Sequence, residues 1–356
     1  MKTSRLTFRK IAARAGVSMA SVSRVARGQL NVDSGVRERV RKAALELGLD
    51  LDQRRNERST IIAFILANRD VLHKFQSRVL IGAEAYCASQ SKDLLFMSFQ
   101  YAPSVSPPEL HLPRVLNQRS LVQAVILGGT NSVNMLAALR AREIPFAVLG
   151  NNVIGALPDE CDAVFSDDVQ GGFDLTSHLI GEGHRDIWFV GDTDLPWYSR
   201  CAEGYKQSML NSGLQARFSE IHSDGRELGY LATRSILSRR EPVTAVFAGS
   251  DPIAQGVYEA LQHAGLRVPD DISVAGFNDT EAVVMSPRLT SVAEYPEELG
   301  KHLAEFALRR AQEPDRPPQR LTIPTRLVVR QSTRPVPPRS PEQAEATVAG
   351  PVYSTV

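Results

Sequence analysis

The sequence predicts a small all-α head, arranged as a helix-turn-helix, followed by an α/β body of two lobes built on doubly wound parallel sheets. Three observations predict it. Residues 1–58 carry 14 Lys and Arg against 6 Asp and Glu, whereas the remainder carries 27 against 34, so a basic head precedes an acidic body. Glycines and N-cap residues divide residues 7–48 into three helix-sized segments. From residue 61 onward, short apolar runs alternate with amphipathic stretches of helical length. A length of 356 residues suits two or three domains. The hydrophobic fraction of 43% and charged fraction of 23% are those of a soluble globular chain. No run reaches the ~18 apolar residues of a membrane span. The first residues are basic and lead into a helix instead of an apolar h-region, so export is not expected. Cys87, Cys161 and Cys201 are too scattered for a disulfide framework or a zinc cluster and fit a reducing cytoplasm.

In the first segment Phe8, Ile11, Ala12 and Ala15 form an apolar stripe that Gly16 terminates, since glycine takes the left-handed C′ conformation at little cost. Ser18 is a suitable N-cap for a second helix over about 19–27, with Val17 and Val22 placed as a hydrophobic staple. Asp33 or Ser34 caps a third helix running to Leu47-Gly48, with Val36, Val40, Ala44 and Leu47 as its buried face. In a helix-turn-helix the second helix enters the major groove. Met19 and Ala20 would then meet thymine methyls, and Arg24 a guanine edge or a phosphate. The hydroxyls of Ser18, Ser21 and Ser23 suit phosphates. Thr7, Arg27 and Asn31 complete the expected DNA-contacting set. A helical bundle with a merely basic face would share this pattern.

The residues themselves go further. Thr7-Phe8-Arg9-Lys10-Ile11-Ala12-Ala13-Arg14-Ala15-Gly16-Val17-Ser18, then Ser21-Val22-Ser23-Arg24-Val25, Asp33, Arg37-Glu38-Arg39-Val40 and Leu45-Glu46-Leu47-Gly48, strongly resemble the signature of the lactose-repressor (LacI/GalR) family. That resemblance implies DNA binding by the head. It also implies a short hinge helix, marked by a Pro-Asn pair and a leucine that wedges into the minor groove. The segment from Leu49 to Thr60 has no Pro-Asn pair, is about four residues short, and places charged residues where the leucine is expected. Arg54, Arg55 or Arg58 could enter a narrow minor groove electrostatically but could not unstack a base step. Weaker DNA bending follows from that reading; a plain charged linker is the alternative.

The strands of the body are expected at Ile61–Leu66, Leu94–Phe99, Ala124–Leu127, Phe146–Leu149, Ala163–Phe165, Ile187–Val190, Ala245–Ala248 and Ile272–Phe277. Helices are expected near 77–90, 132–142, 169–182, 200–212, 227–238 and 252–264. Ligands of doubly wound sheets sit beyond the carboxyl ends of the strands. Those ends carry Asn68-Arg69-Asp70, Gly128-Gly129-Thr130, Asn151-Asn152, Asp167-Asp168, Asp192 onward to Arg200, Ser250-Asp251 and Asn278-Asp279. Singly these are ordinary turn residues; together they suit a polar cleft for a hydroxyl- or amine-bearing small molecule.

The family resemblance extends through Asp167-Asp168, Gly171-Gly172, His178-Leu179, Gly183-His184-Arg185-Asp186-Ile187, Gly204-Tyr205, Gly265 to Val274 and Gly276-Phe277-Asn278-Asp279. It implies two periplasmic-binding-protein-like lobes, crossed by three strands, in a homodimer. The family's pocket arginine matches Arg200, which precedes Gly204 by four positions where three is usual. Its pocket aspartate falls on Asn278, keeping the shape and losing the charge. Ser250 and Glu294 stand where asparagine and glutamine are frequent. Trp197 and Tyr198 could stack on a sugar face or belong to the core. The expected effector-binding set is Asn68, Asp70, Phe75, Gly128, Asn151, Trp197, Arg200, Ser250, Asn278 and Glu294.

The expected domains are the head at 1–50, a shortened hinge at 51–60 and an effector-binding, dimerising body at 61–330. Within the body, one lobe spans about 61–162 with 293–320 and the other about 163–290 with 321–330. A Pro-rich disordered tail is expected at 331–356. No dinucleotide fingerprint follows a strand, the histidines lack zinc-protease spacing and nucleophile-elbow spacing is absent, so neither enzyme, cofactor nor metal is expected. The resulting expectation is a cytoplasmic, nucleoid-associated regulator, a repressor whose hold on a pseudo-palindromic operator is set by a sugar-like effector. A two-lobed sensor with weak or non-specific DNA binding is the alternative.

Overall fold

The computed structural model describes residues 2–26, 32–49, 51, 61–69, 72–118 and 120–336. The head consists of α1 (Lys2–Ala15), α2 (Met19–Ala26) and α3 (Ser34–Glu46). α1 starts six residues before the predicted stripe, because nothing between Lys2 and Leu6 breaks a helix. Gly16 has φ 65° and ends α1 as predicted. The Asp33 carboxylate accepts the Val36 amide at 3.1 Å and caps α3. Ile11, Ala12, Ala15, Val22, Val25, Val40, Ala43 and Ala44 form the core, with Phe8, Val17 and Val36 packed against it. Burying one such valine is worth about 1.5–3 kcal/mol. Leu47 corrects the expectation: α3 stops at Glu46, Leu47 leaves the helical register, and it stands 36% exposed while Leu49 and Leu51 close the core.

The chain divides into two compact units. One comprises residues up to Asp167, Leu195–Trp197 and Glu294–Thr325; the other comprises Asp168–Asp194, Tyr198–Ala293 and Arg326 onward. In the first, beyond the head, come β1 (Ile61–Ala67), α4 (Lys74–Ser89), β2 (Asp93–Phe99), β3 (Val122–Gly129), β4 (Asn131–Ser132), α5 (Val133–Ala141), β5 (Phe146–Leu149), β6 (Val153–Ile154) and β7 (Asp162–Ser166). The second holds α6 (Asp168–Gly181), β8 (Ile187–Val190), most of α7 (Pro196–Asn211), β9 (Arg217–Phe218), α8 (Gly225–Ser238), β10 (Ala245–Ala248), α9 (Asp251–His263), β11 (Ser273–Asn278) and β12 (Thr290–Ala293). The first unit then resumes with α10 (Pro296–Gln312) and β13 (Arg320–Ile323), and β14 (Arg326–Val328) returns to the second.

The first sheet has the order β13-β7-β5-β3-β1-β2 with every pairing parallel. Successive residues of β1 face opposite layers: Ala63, Ile65 and Ala67 join one apolar cluster, and Ile62 and Phe64 the other. Central strands buried on both faces explain why the sequence shows unbroken apolar runs. The second sheet has the order β14-β12-β11-β10-β8-β9, with only β14 antiparallel. Its core is aromatic: Phe189 lies 5.1 Å from Phe247 and 5.7 Å from Tyr205 by ring centroid.

Three expectations change. β7 and β13 pair with each other in the first sheet, so that lobe extends to Asp167 and Thr325 instead of 162 and 320. An apolar run shows that a strand exists but not which sheet it joins. The helix α10 was absent from the expected elements, yet it supplies Leu299, Leu303, Phe306 and Ala307 to the first lobe's core. Residues 331–336 are part of the second lobe and not of a disordered tail: Ser332 is fully buried and its carbonyl accepts the Val274 amide at 2.9 Å. The remainder of the predicted tail lies outside the described residues, as does the hinge apart from Leu51.

His184 pins that terminal segment. Its Nε2 donates to the Arg334 carbonyl at 3.2 Å, which leaves Nδ1 to accept from the Thr244 hydroxyl at 3.0 Å. Burial pushes its pKa from 6.5 down to about 4. A histidine that resists protonation when folded stabilises the fold fully above about pH 6.5, and that contribution is lost as pH falls toward 4. The loss expected by pH 4 is roughly 3 kcal/mol. Between pH 7 and 4.5 the melting curves of the native chain and of His184→Gln should differ in pH slope by this component, the variant losing less stability or gaining more as pH falls; equal pH slopes in both would contradict the assignment.

Candidate nucleic-acid interface and ligand site

In the head, the Ser18 hydroxyl accepts the Ser21 amide at 3.0 Å and lies 2.9 Å from the Ser21 hydroxyl. One of these two hydroxyl protons is thereby used internally, leaving the pair a single outward O–H for a phosphate. Val22 and Val25 turn α2's apolar face inward, so Met19, Ala20 and Arg24 stand exposed on the other side, with Ser23 half-buried. Thr7 is half-buried on α1. The surface that the sequence assigned to DNA is therefore the solvent face of α2. Arg27, Asn31, Arg54, Arg55 and Arg58 lie outside the described residues.

Each sheet has one topological switch point, where the chain leaves in opposite directions from neighbouring strands. In the first lobe it lies between β1 and β3, whose ends carry Asn68 and Gly128. Asn68 has φ 49°, and its Oδ1 accepts the Tyr101 amide at 2.9 Å. Gly128 leaves room for Phe64 and Gln76, and its carbonyl accepts from the Asn131 amide group at 2.9 Å. The Tyr101 hydroxyl accepts the Ser132 amide at 2.9 Å, which joins this cluster to the N-cap of α5. The Arg69 guanidinium stacks 3.8 Å above the Trp197 ring, so one indole face is already covered. Glu294 is buried and Phe75 is half-buried against the core. Asp70 lies outside the described residues.

Asn151 ties two strands together. Its amide donates to the Ser166 carbonyl and accepts the Ser166 amide, both at 2.9 Å, clamping the end of β5 to the end of β7.

In the second lobe the switch point lies between β8 and β10. The ring of Tyr198, 3% exposed, lies directly against Gly191 and Gly249 at those strand ends. Its hydroxyl donates to Asp224 at 2.6 Å and lies 3.5 Å from Ser250. Tyr198 is thus a core residue beneath the strand ends. Ser250 caps α9 through the Ile253 amide at 3.4 Å, which occupies one acceptor site of its hydroxyl. Arg200 is half-buried one turn into α7. Asn278, with φ 90°, and Asp279, with φ 50°, form a strained pair after β11. Non-glycine residues held at positive φ concentrate at functional sites, and Asn tolerates the conformation best.

That strained turn is held from below. Asp251, fully buried, accepts the Glu281 amide at 2.8 Å, the Ala282 amide at 3.1 Å and the Ser291 hydroxyl at 2.7 Å. Asp279 is paired with Arg330 at 2.7 Å. Sequence reasoning flagged Asp251 only as a strand-end acid, and nothing in the pattern revealed it as the anchor of a loop thirty residues away. Asp192, Asp194 and His222 bring possible metal-ligand atoms within 4.8 Å of one another. Asp192 already accepts the Asp194 amide and faces His222 at 3.2 Å, and Asp194 and His222 are exposed, so the group reads as a solvated loop ion pair.

A helix-turn-helix head in front of two parallel α/β lobes, each with polar residues gathered at its switch point, defines a DNA-binding regulator with a ligand-binding body. The comparisons agree. Residues 7–49 match the model for bacterial regulatory proteins of the lacI family, and residues 176–333 match that of a periplasmic binding protein-like domain. The HTH-type transcriptional regulator DegA of Bacillus subtilis (strain 168) is 29% identical over 353 residues, covering 94% of this chain and 99% of DegA. The ribose operon repressor of Haemophilus influenzae is 28% identical over 336 residues, covering 92% and 98%. A solved complex of the transcriptional regulator CelR with cellobiose superposes with a TM-score of 0.67 at 27% identity, over 91% of this chain and 99% of that one. The chain thus carries a lacI-family helix-turn-helix domain ahead of a periplasmic binding protein-like domain, the make-up of a DNA-binding regulator of transcription.

Proposed function

We propose that this regulator is a repressor whose affinity for a pseudo-palindromic operator is set by a sugar or sugar derivative at the carboxyl ends of its strands. The observation that carries the reading is α2, which pairs a buried Val22–Val25 face with an exposed face of Met19, Ala20 and Arg24. The names of two relatives support the finer points: one is a ribose operon repressor and another was solved with cellobiose. The contacts proposed for the effector are Asn68, Asp70, Phe75, Gly128, Trp197, Arg200, Asn278 and Glu294, with Asn151 and Ser250 acting mainly as supports. With asparagine at 278, the ligand is one that needs a polar partner there without a negative charge. A homodimer fits the two-fold symmetry of such operators. It also accounts for exposed apolar side chains on each lobe, Ile81 and Phe96 on the first and Val283 and Val284 on the second. The protein would act in the cytoplasm, on the nucleoid.

The test is binding to the chain's own upstream intergenic DNA at two salt concentrations, with and without a library of sugars. Tight, palindrome-specific binding that weakens steeply with salt and shifts with one sugar is the expected result. Binding indifferent to sequence and to every sugar would reduce the protein to a DNA-associated sensor. Arg24→Ala is expected to cost about 1–3 kcal/mol of operator affinity and to relax preference at one base pair per half-site. An equal loss on all sequences would make Arg24 a phosphate contact instead.

A further inference from the structure

The head and the first lobe fall within one compact unit, and a specific contact joins them. Arg37 on α3 donates to Glu143 at 2.9 Å, and Arg41, one turn further on, lies 3.9 Å from the same carboxylate. Arg37 also donates to the Val32 carbonyl at 3.3 Å, which holds its guanidinium in place. Glu143 closes the C-terminal turn of α5 in the left-handed conformation, with φ 53°, where glycine is the usual residue. The opposite end of α5 begins at Ser132, whose hydroxyl caps the helix at the Met135 amide and whose own amide is held by Tyr101 at the strand ends. Nine residues of helix, about 14 Å, thus run from the proposed effector cluster to the DNA-binding head.

We propose that α5 is the mechanical link between the first lobe's strand ends and the head, with the Glu143–Arg37 ion pair as its point of attachment and Glu143 as an internal competitor for DNA phosphates. The proposal rests on the reading of those strand ends as an effector site, but the attachment is testable without an effector. Glu143 draws Arg37 and Arg41 toward the lobe, and DNA must take them from it. An ion pair of this exposure is worth little in isolation, so the effect is a modest bias, as suits a contact that must open in each binding cycle.

The experiment measures the affinity of the full chain for a duplex of about 30 base pairs of arbitrary sequence, without added sugar. Glu143→Gln and Glu143→Gly both remove the charge, and the glycine variant suits the positive φ of the turn, so folding is preserved. Each is expected to bind 2- to 5-fold more tightly at low salt, with the difference closing as salt rises. Unchanged or weaker binding in both variants would overturn the competitor role. Tyr101→Phe releases the Ser132 amide at the other end of α5. It is expected to raise affinity in the native background and to have no effect on top of Glu143→Gln. A shift of equal size in both backgrounds, or none in either, would remove α5 as the link. Because the probe is non-specific DNA, either failure is separate from a failure to find an operator or an effector.

Discussion

Replacing Asp162 with alanine is expected to destabilise the first lobe by about 3–5 kcal/mol, the cost of stripping the counter-charge from a buried ion pair. Asp162 opens β7 and is 2% exposed. It takes two donors from Arg310, at 2.7 and 3.2 Å, a third from Arg316 at 2.9 Å, and the Gln319 amide at 2.8 Å. One carboxylate thereby joins β7, the end of α10 and the approach to β13. Without it, two guanidinium groups whose side chains are 17% and 9% exposed keep their charge in a poorly solvated place. Calorimetry should show a melting point lower by roughly 10 °C, taking about 2–4 °C per kcal/mol for a lobe of this size. A loss below about 1 kcal/mol would mean that the arginines simply swing into water.

The second large effect is expected at Asp251. Asp251→Ala strands two backbone amides and a hydroxyl in the core, a cost on the order of 3 kcal/mol or more. It also frees the turn that holds Asn278, so the variant that folds should lose its response to effector before it loses DNA binding. Asp251→Asn is the informative partner. Its carbonyl can keep the Glu281 and Ala282 amides while its NH₂ donates to Ser291, provided that hydroxyl reverses. Burial raises the Asp251 carboxyl from 3.8 to about 6. A raised acid makes the folded state bind protons more readily than the unfolded one, so its contribution to stability falls as pH rises from about 4 to 6. The asparagine variant should lack that slope. The window overlaps that of His184 with the opposite sign, so the native pH profile stays flat there and only the single variants separate the two groups.

Much of the fold was legible because buried parallel strands leave unbroken apolar runs: Phe146–Leu149, Ile187–Val190 and Ala245–Ala248 coincide with observed strands. Caps were equally legible, since Ser18 and Asp33 act locally. What failed was long-range. The run at 163–165 was assigned to the wrong lobe because pairing with β13 depends on a segment more than 150 residues away. The role of α10 was missed for the same reason: its helical spacing is ordinary, and its importance comes from a return to a lobe left long before. At the ligand site the residue types were readable but their partners were not. Asn151 and Ser250 have the chemistry of ligand contacts and also bond to backbone, Asn151 at Ser166 and Ser250 at Ile253. The arginine that reaches an indole face is Arg69, just beyond β1, whereas Trp197 lies in the first turn of α7.

Three helix pairs touch backbone to backbone through reciprocal glycines. A methyl group on Gly82 would strike the Glu297 carbonyl and one on Gly300 the Val79 carbonyl, where α4 crosses α10. Gly172 and Gly204 do the same for α6 and α7, and Gly229 and Gly256 for α8 and α9. Because each obstacle is main chain, no partner substitution can make room. For anyone retuning this regulator to a new small molecule, these six positions are the fixed pegs of the frame. Variation can be spent on the strand ends other than the Asn151 clamp and the Asp251 anchor, and Gly204, which the sequence presents as a marker of the pocket, should be left out of any library.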